Sequence, residues 1–322
     1  MAYPNLSGKN DSPIKCGVCG AAMPSLLFCA TPPDKTSLKQ IAVFKCGECG
    51  SAQTGAAPDC VVHQKLYFKE YWGSRKTRYQ GRLKNMLTDV FLRQRVKNMA
   101  ACISKTSVIL DYGCGNGEFV KAMRRAGYQC YGFEPNARSD CEFISSNIST
   151  GAYDLITLWH VFEHFDNPDE ELAKIASLLG VEGKLFLSVP NFASIDSSIG
   201  GPLWFHLDVP RHMFHYSQRG MAAVLARNGM KVLRCKIPFN WYAFFGVYQT
   251  LFNLSGCTTN ALYYWLKRGS GARKDKSIGI TLKDMLLHMC LAIPYLVVAL
   301  AVTSVAALFK KSGSLEILCE KE

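Results

Sequence analysis

Acidic side chains are scarce in this chain. Of 322 residues, 25 are Asp or Glu against 37 Lys or Arg, a formal net charge of +12 at neutral pH. The shortage is local: residues 1–105 hold 6 acidic against 16 basic side chains and residues 255–322 hold 5 against 9, whereas residues 106–254 hold 14 against 12. A near-neutral middle with basic flanks fits attraction to phosphate, on nucleic acid or on a membrane surface. An apolar leader is also missing, since Met1 to Ser12 is polar. With 14 cysteines, that predicts a reducing compartment and a protein facing the cytosol. A third lack is a glycine: after Gly113 and Gly115, a dinucleotide-binding turn requires glycine at position 118, and the chain has Glu118.

What stands there instead is an apolar run, Val108 to Leu110, then Asp111-Tyr112-Gly113-Cys114-Gly115-Asn116-Gly117, then a helical pattern of Phe119, Val120, Met123 and Ala126. This predicts strand, glycine turn and helix, with backbone N–H groups open to a nucleotide-like ligand. Tyr128 to Phe133 predicts the next strand, ending on Glu134, where a carboxylate can accept from a ribose. Tyr153 to Trp159 predicts a further strand feeding His160-Val161-Phe162-Glu163-His164, then a helix with Asn167 as N-cap, Pro168 in its first turn and Gly180 at its end.

Asp111 to Gly117, Glu134, the stretch from Tyr153 to His164 and the later Pro210-Arg211-His212-Met213-Phe214-His215 together resemble a class I S-adenosylmethionine-dependent methyltransferase. The resemblance covers roughly residues 106–238. It implies an α/β fold with a Rossmann-like doubly wound sheet. Asp111 and the turn of Gly113, Cys114, Gly115 and Gly117 would hold the methionine end of the cofactor, Glu134 its ribose, and His160 would lie beside the methyl group. His160, Glu163 and His212 are the candidate catalytic residues. A metal on His160, Glu163 and His164 is an alternative use of that motif, His160 and His164 being spaced to share a helix face. Only 18 residues separate Glu134 from Tyr153, so the intervening helix and third strand are expected to be curtailed.

Near the start, Cys16 and Cys19, then Cys46 and Cys49, form two C-x-x-C pairs 26 residues apart. That spacing predicts a closed structural zinc ribbon over residues 1–60, with a redox site or two unrelated turns as the alternatives. Residues 61–105 read as a basic helical lead-in, with Arg75, Lys76, Arg78, Arg82, Lys84, Arg93, Arg95 and Lys97 against Asp89. It is either a linker with a solvated basic face or a surface for an anionic acceptor or lipid. The methyltransferase unit is expected over 106–237 and 312–322.

The loop from Phe192 to Tyr216 is long for a compact unit and holds Trp204, His206, Asp208, Arg211, His212 and His215. The resemblance implies a cover for the acceptor; a surface tether is the plainer reading. Residues 238–311 read as a hydrophobic insertion before the last strand. They are aromatic from Phe239 to Tyr248 and free of charge from Leu286 to Phe309, a length sufficient to cross a bilayer. Pro294 is expected to interrupt this run, and Ser314 to Glu320 to return to the sheet beside the Lys231 strand. Both ends of the insertion would then lie on one side of a membrane, so attachment to one face is favoured over a span or a buried cap.

The expected function is methyl transfer to a membrane-associated or lipid-linked acceptor, saccharide or isoprenoid, at the cytoplasmic face of the cell membrane. Methyltransferases that resemble this one and carry a zinc ribbon often accompany polysaccharide biosynthesis. Methylation of RNA, through the ribbon and the basic flank, and a membrane scaffold with a degenerate cofactor fold are the alternatives.

Overall fold

The computed structural model describes residues 15–22, 25–32, 40–55, 92–137, 141–149, 151–268 and 281–322. Most of the predicted basic lead-in, from residue 61 to residue 91, lies outside them.

Seven strands form the main sheet: β4 (Val108–Tyr112), β5 (Gln129–Phe133), β6 (Ile144–Ser145), β7 (Tyr153–Trp159), β8 (Leu179–Pro190), β10 (Met230–Lys236) and β11 (Ser314–Lys321). Their order is β10-β11-β8-β7-β4-β5-β6. The middle strands β8, β7, β4 and β5 run parallel, and β11 is antiparallel to both of its neighbours. Parallel strands covered on both faces must be apolar throughout. The sequence meets this in β4, where Ile109 to Tyr112 are all buried, and in β7, where Leu155 to Leu158 are.

Helix α1 (92–100) precedes β4, and α2 (Glu118–Arg125) buries Phe119, Val120 and Met123 against the sheet. Helix α3 (Pro168–Leu178) starts as its sequence predicts, with the Asn167 side chain accepting from Glu170 N. It does not run to Gly180. The chain extends from Leu179 into a twelve-residue strand, so Gly180 belongs to β8. The curtailed third strand is borne out, β6 being two residues long.

The second sheet has the order β1-β2-β3-β9, from β1 (Ser25–Ala30), β2 (Ile41–Lys45), β3 (Ala52–Thr54) and β9 (Phe214–His215). The first three strands belong to the cysteine ribbon and the fourth to the loop after β8. Cys16 Sγ lies 3.9 Å from Cys49 Sγ and Cys19 Sγ 3.7 Å from Cys46 Sγ. The ribbon shares one apolar core with the main sheet, where Cys16, Val18, Cys46 and Cys49 pack with Tyr216, Met221 and Val224. Those last two residues lie in α5 (Gln218–Arg227).

The insertion is helical. After α4 (Ile195–Gly200) in the loop come α6 (Trp241–Leu254), α7 (Ala261–Arg268) and α8 (Leu282–Leu308). Pro294 lies inside α8 without ending it, contrary to expectation. A proline removes one helical hydrogen bond, and α6 packed alongside holds the rest of the helix in line. Tyr248 OH donates to Ala292 O at 3.1 Å, and Thr258 Oγ1 to Asp284 at 2.9 Å, so α6 and α8 run antiparallel. The insertion leaves the sheet at Lys236, whose β-partner is Glu316, and returns at the same edge.

Candidate active site

The site gathers at the carboxyl ends of β4, β5, β7 and β8, where parallel sheets of this kind bind ligands. Asp111, next to last in β4, is buried and accepts from Thr157 Oγ1 at 2.8 Å. Burial raises its carboxyl to about 7, against that bond and the charge of Arg95. The chain then turns through Gly113, Gly115 and Gly117, with φ of 77°, 55° and 69°. A Cβ on Gly113 would meet Val161 Cγ2 at 2.7 Å, so both backbone and space demand glycine there. The Cys114 thiol is kept neutral by burial. Glu134 spends one carboxylate oxygen on Gly115 N at 3.1 Å and the other on Asn136 N at 3.2 Å. The turn and the acidic residue are thus tied together before any ligand arrives.

Past β7 the chain makes an abrupt change. His160 takes φ 57°, a left-handed conformation that costs a residue with a Cβ energy and concentrates at functional sites. Its imidazole stacks on Tyr242 at 3.4 Å between centroids, and Tyr242 stacks in turn on His206 at 4.1 Å. Phe162–His164 is a single 3-10 turn. His160 and His164 therefore do not share a helix face, and the expected trio of His160, Glu163 and His164 is not what gathers. One potential ligand atom from each of Glu163, His164 and His212 lies within 4.8 Å of the others. His164 Nδ1 faces Arg211 O at 3.0 Å, and His212 Nδ1 faces His206 O at 2.7 Å. A carbonyl can only accept, so Nδ1 carries the proton in each ring and His212 Nε2 keeps its lone pair.

That lone pair faces Glu163 Oε1 at 4.0 Å, with His160 Nδ1 on the same oxygen at 3.6 Å. Both oxygens of Glu163 are buried without a hydrogen-bond partner, and burial raises the carboxyl to about 8. Burial holds His160 and His212 well below the usual histidine range. The cluster therefore holds neutral bases beside a carboxyl poised near neutrality. Asp208 differs: burial opposes its charge, but Arg211 holds it well below the carboxylate range.

Two features escape a reading of motifs. Arg95 does not belong to a solvated face: its guanidinium lies 4.3 Å over the Trp159 ring, and Asp111 and Glu316 favour its charge against burial. The signal was available, since Arg95 sits three residues after Leu92 and four before Met99, both buried. The other is Tyr242, which comes from the insertion and had no motif to mark it.

A methyltransferase-domain family matches residues 82–234, which contain the glycine turn, Glu134 and the His160 to His212 cluster. Over those residues the chain is similar to a methyltransferase domain. Among curated relatives, a ubiquinone biosynthesis O-methyltransferase of Xanthomonas oryzae pv. oryzae is 29% identical over 139 residues, covering 37% of this chain and 58% of the relative. The chain thus spans a little over half the length of the curated relatives it matches. A solved S-adenosylmethionine-dependent methyltransferase from Archaeoglobus fulgidus is similar at 15% identity and a TM-score of 0.43, covering 80% of this chain and 99% of that one. Coclaurine N-methyltransferase bound to N-methylheliamine and SAH is similar at 14% identity and 0.42, covering 82% and 79%. The cysteine ribbon and the whole insertion lie outside the family match.

Proposed function

We propose that this protein transfers a methyl group from S-adenosylmethionine to a hydroxyl oxygen of an amphiphilic acceptor at a membrane surface. The observation that carries this reading is Glu163, a buried carboxyl with no hydrogen-bond partner, set between two neutral imidazoles at the mouth of the sheet. The donor supplies an electrophilic methyl on a cationic sulfur. The chain's part is to align the acceptor, exclude water and take its proton. His212 Nε2 accepts that proton as the new carbon–oxygen bond forms and the carbon–sulfur bond breaks, and the positive charge on the imidazolium favours ionisation of the Glu163 carboxyl beside it, which then steadies the ring. His160, with Tyr242 and His206 stacked beyond it, walls the acceptor side. Asp111, Arg95 and the glycine turn face the methionine end and Glu134 the ribose. That the Xanthomonas relative is an O-methyltransferase favours oxygen as the acceptor atom.

The four-cysteine cluster suits zinc. Tetrahedral Zn–S bonds of about 2.3 Å put sulfurs roughly 3.8 Å apart, and the Cys16–Cys49 and Cys19–Cys46 sulfurs lie 3.9 and 3.7 Å apart. Attachment to one membrane face is supported by how α8 is held. Its inner side is fixed to α6, and α6 is fixed to the active-site loop by Thr250 Oγ1 with Phe205 N at 3.1 Å and Asn253 Nδ2 with Leu203 O at 2.9 Å. Its outer side exposes Leu282, Met285, Met289, Ile293, Val297 and Leu308. With one side held by its own domain and the chain returning to the same sheet edge at Ser314, the exposed side of α8 is the surface offered to a bilayer.

The test is transfer of labelled methyl from S-adenosylmethionine into a cell extract, partitioned into organic-soluble, RNA and aqueous fractions, with Glu134→Ala as control. Label in the organic fraction, lost in the variant, is expected. Label in RNA would overturn the acceptor, and no label with unchanged cofactor binding in Asp111→Ala would point to a scaffold. Transfer that rises only on adding magnesium or manganese would give Glu163, His164 and His212 to a metal instead.

A further inference from the structure

The cysteine ribbon and the active-site loop share a sheet, and the residue at their junction is Thr54. It ends β3, five residues after Cys49. Its backbone N–H donates to Met213 O at 2.9 Å, extending the pairing of Ala52 with His215 and Gln53 with Phe214. Its hydroxyl donates to His212 O at 2.5 Å and lies 3.3 Å from His215 Nε2. A hydroxyl has one proton. With that proton on His212 O, the oxygen accepts from His215 Nε2–H, and burial keeps His215 neutral.

From the other side the same segment is held by the catalytic turn, where Met213 N donates to Glu163 O at 2.9 Å and His164 Nδ1 to Arg211 O at 3.0 Å. The backbone of His212 is therefore clamped between Thr54 and the Glu163 turn. The ribbon end of the clamp runs to the metal ligands. Ser217 Oγ donates to Cys49 O at 2.5 Å, Ser217 N to Ser51 Oγ at 3.0 Å, and Cys46 N to Ser51 O at 2.8 Å. A ribbon that only stabilised the fold would not need its last strand to bond the carbonyl of a catalytic residue.

We propose that Thr54 is a positioning residue for His212, and that occupation of the four-thiolate site governs methyl transfer through it. This rests on the role of His212 given above. Without a cation the two knuckles lose their common anchor, β3 loosens, and His212 drifts from Glu163 while the cofactor side, built on β4 and β5, is untouched.

The experiment compares Thr54→Val and Thr54→Ser with the parent as purified, zinc-loaded full-length protein. Zinc content, S-adenosylmethionine affinity by calorimetry, and kcat and KM for label entering the organic-soluble fraction of a membrane extract are measured for each. Expected are unchanged zinc and cofactor affinity in both, a kcat at least tenfold lower in Thr54→Val with KM within twofold, and recovery to within twofold of the parent in Thr54→Ser. Wild-type kcat in Thr54→Val, or an equal loss in Thr54→Ser, would overturn the proposal. A readout that needs no acceptor separates this from failure of the enzymatic reading. The His212 Nδ1 proton, assigned by its absence in His212→Asn, should exchange slowly in the parent and at least tenfold faster in Thr54→Val and in chelator-stripped protein. Unchanged exchange in both would overturn the coupling whether or not the parent transfers methyl.

Discussion

Burial strips His160, His206, His212 and His215 of their tendency to charge, and each sits within one small region around Glu163 and Tyr242. For two of them the consequence is measurable. His206 and His215 are held at about 3, below an unfolded value near 6.5. A depressed folded value means that the unfolded chain takes up the proton first. The stability these rings contribute is whole above pH 6.5 and is lost as pH falls below it, by roughly 2 kcal/mol for each ring at pH 5. The melting temperature should therefore fall steeply between pH 7 and pH 5, and His206→Gln should remove part of that slope. The motifs made Asp111, Glu134 and Glu163 legible because short-range spacing carried them. Tyr242 was not, because its partners His160 and His206 lie 82 and 36 residues away and stacking leaves no periodic trace.

Among the elements, α8 was the easiest to find and the hardest to interpret. Its composition announced a helix long enough to cross a bilayer, and Thr281 with Asp284 forms a capping box at its start. Composition could not say which side was already taken. Only the packing of α6 along one flank does that, leaving a stripe in which Met289 is 79% and Ile293 75% exposed. Charge placed on that stripe should not disturb the fold, because neither side chain is packed. Met289→Asp with Ile293→Asp is expected to keep the melting temperature within a few degrees and to abolish sedimentation with anionic phospholipid vesicles; sedimentation equal to the parent would remove the membrane from the reading. The helix α3 shows the opposite limit. Its start was fixed by a cap and a proline, but its end was misplaced because Leu179 obeys the sheet next to it and not the glycine after it.

At the scale of the molecule, the additions converge on one end of the sheet. The ribbon reaches it through β9 and the insertion through Tyr242, while the opposite side is built from β4, β5 and the glycine turn between them. Sequence order hid this, since the ribbon and the insertion flank the domain like separate units. Because Lys236 and Glu316 are β-partners, residues 239–311 can be replaced by a short turn joining β10 to β11. Such a protein should still bind S-adenosylmethionine by calorimetry, but should transfer no methyl and ignore vesicles. Retained transfer would show that Tyr242 and its helix are dispensable.

The antiparallel strand β11 separates β8 from β10, and it is made after the whole insertion. During synthesis the ribbon, the glycine turn and the loop after β8 all exist before the sheet that unites them can close. The apolar helix α8 leaves the ribosome earlier than the strand that draws it back. A nascent chain in that state has its greasy surface on offer and its core unfinished, so the first encounter with a membrane, or with a chaperone, comes before the fold is closed.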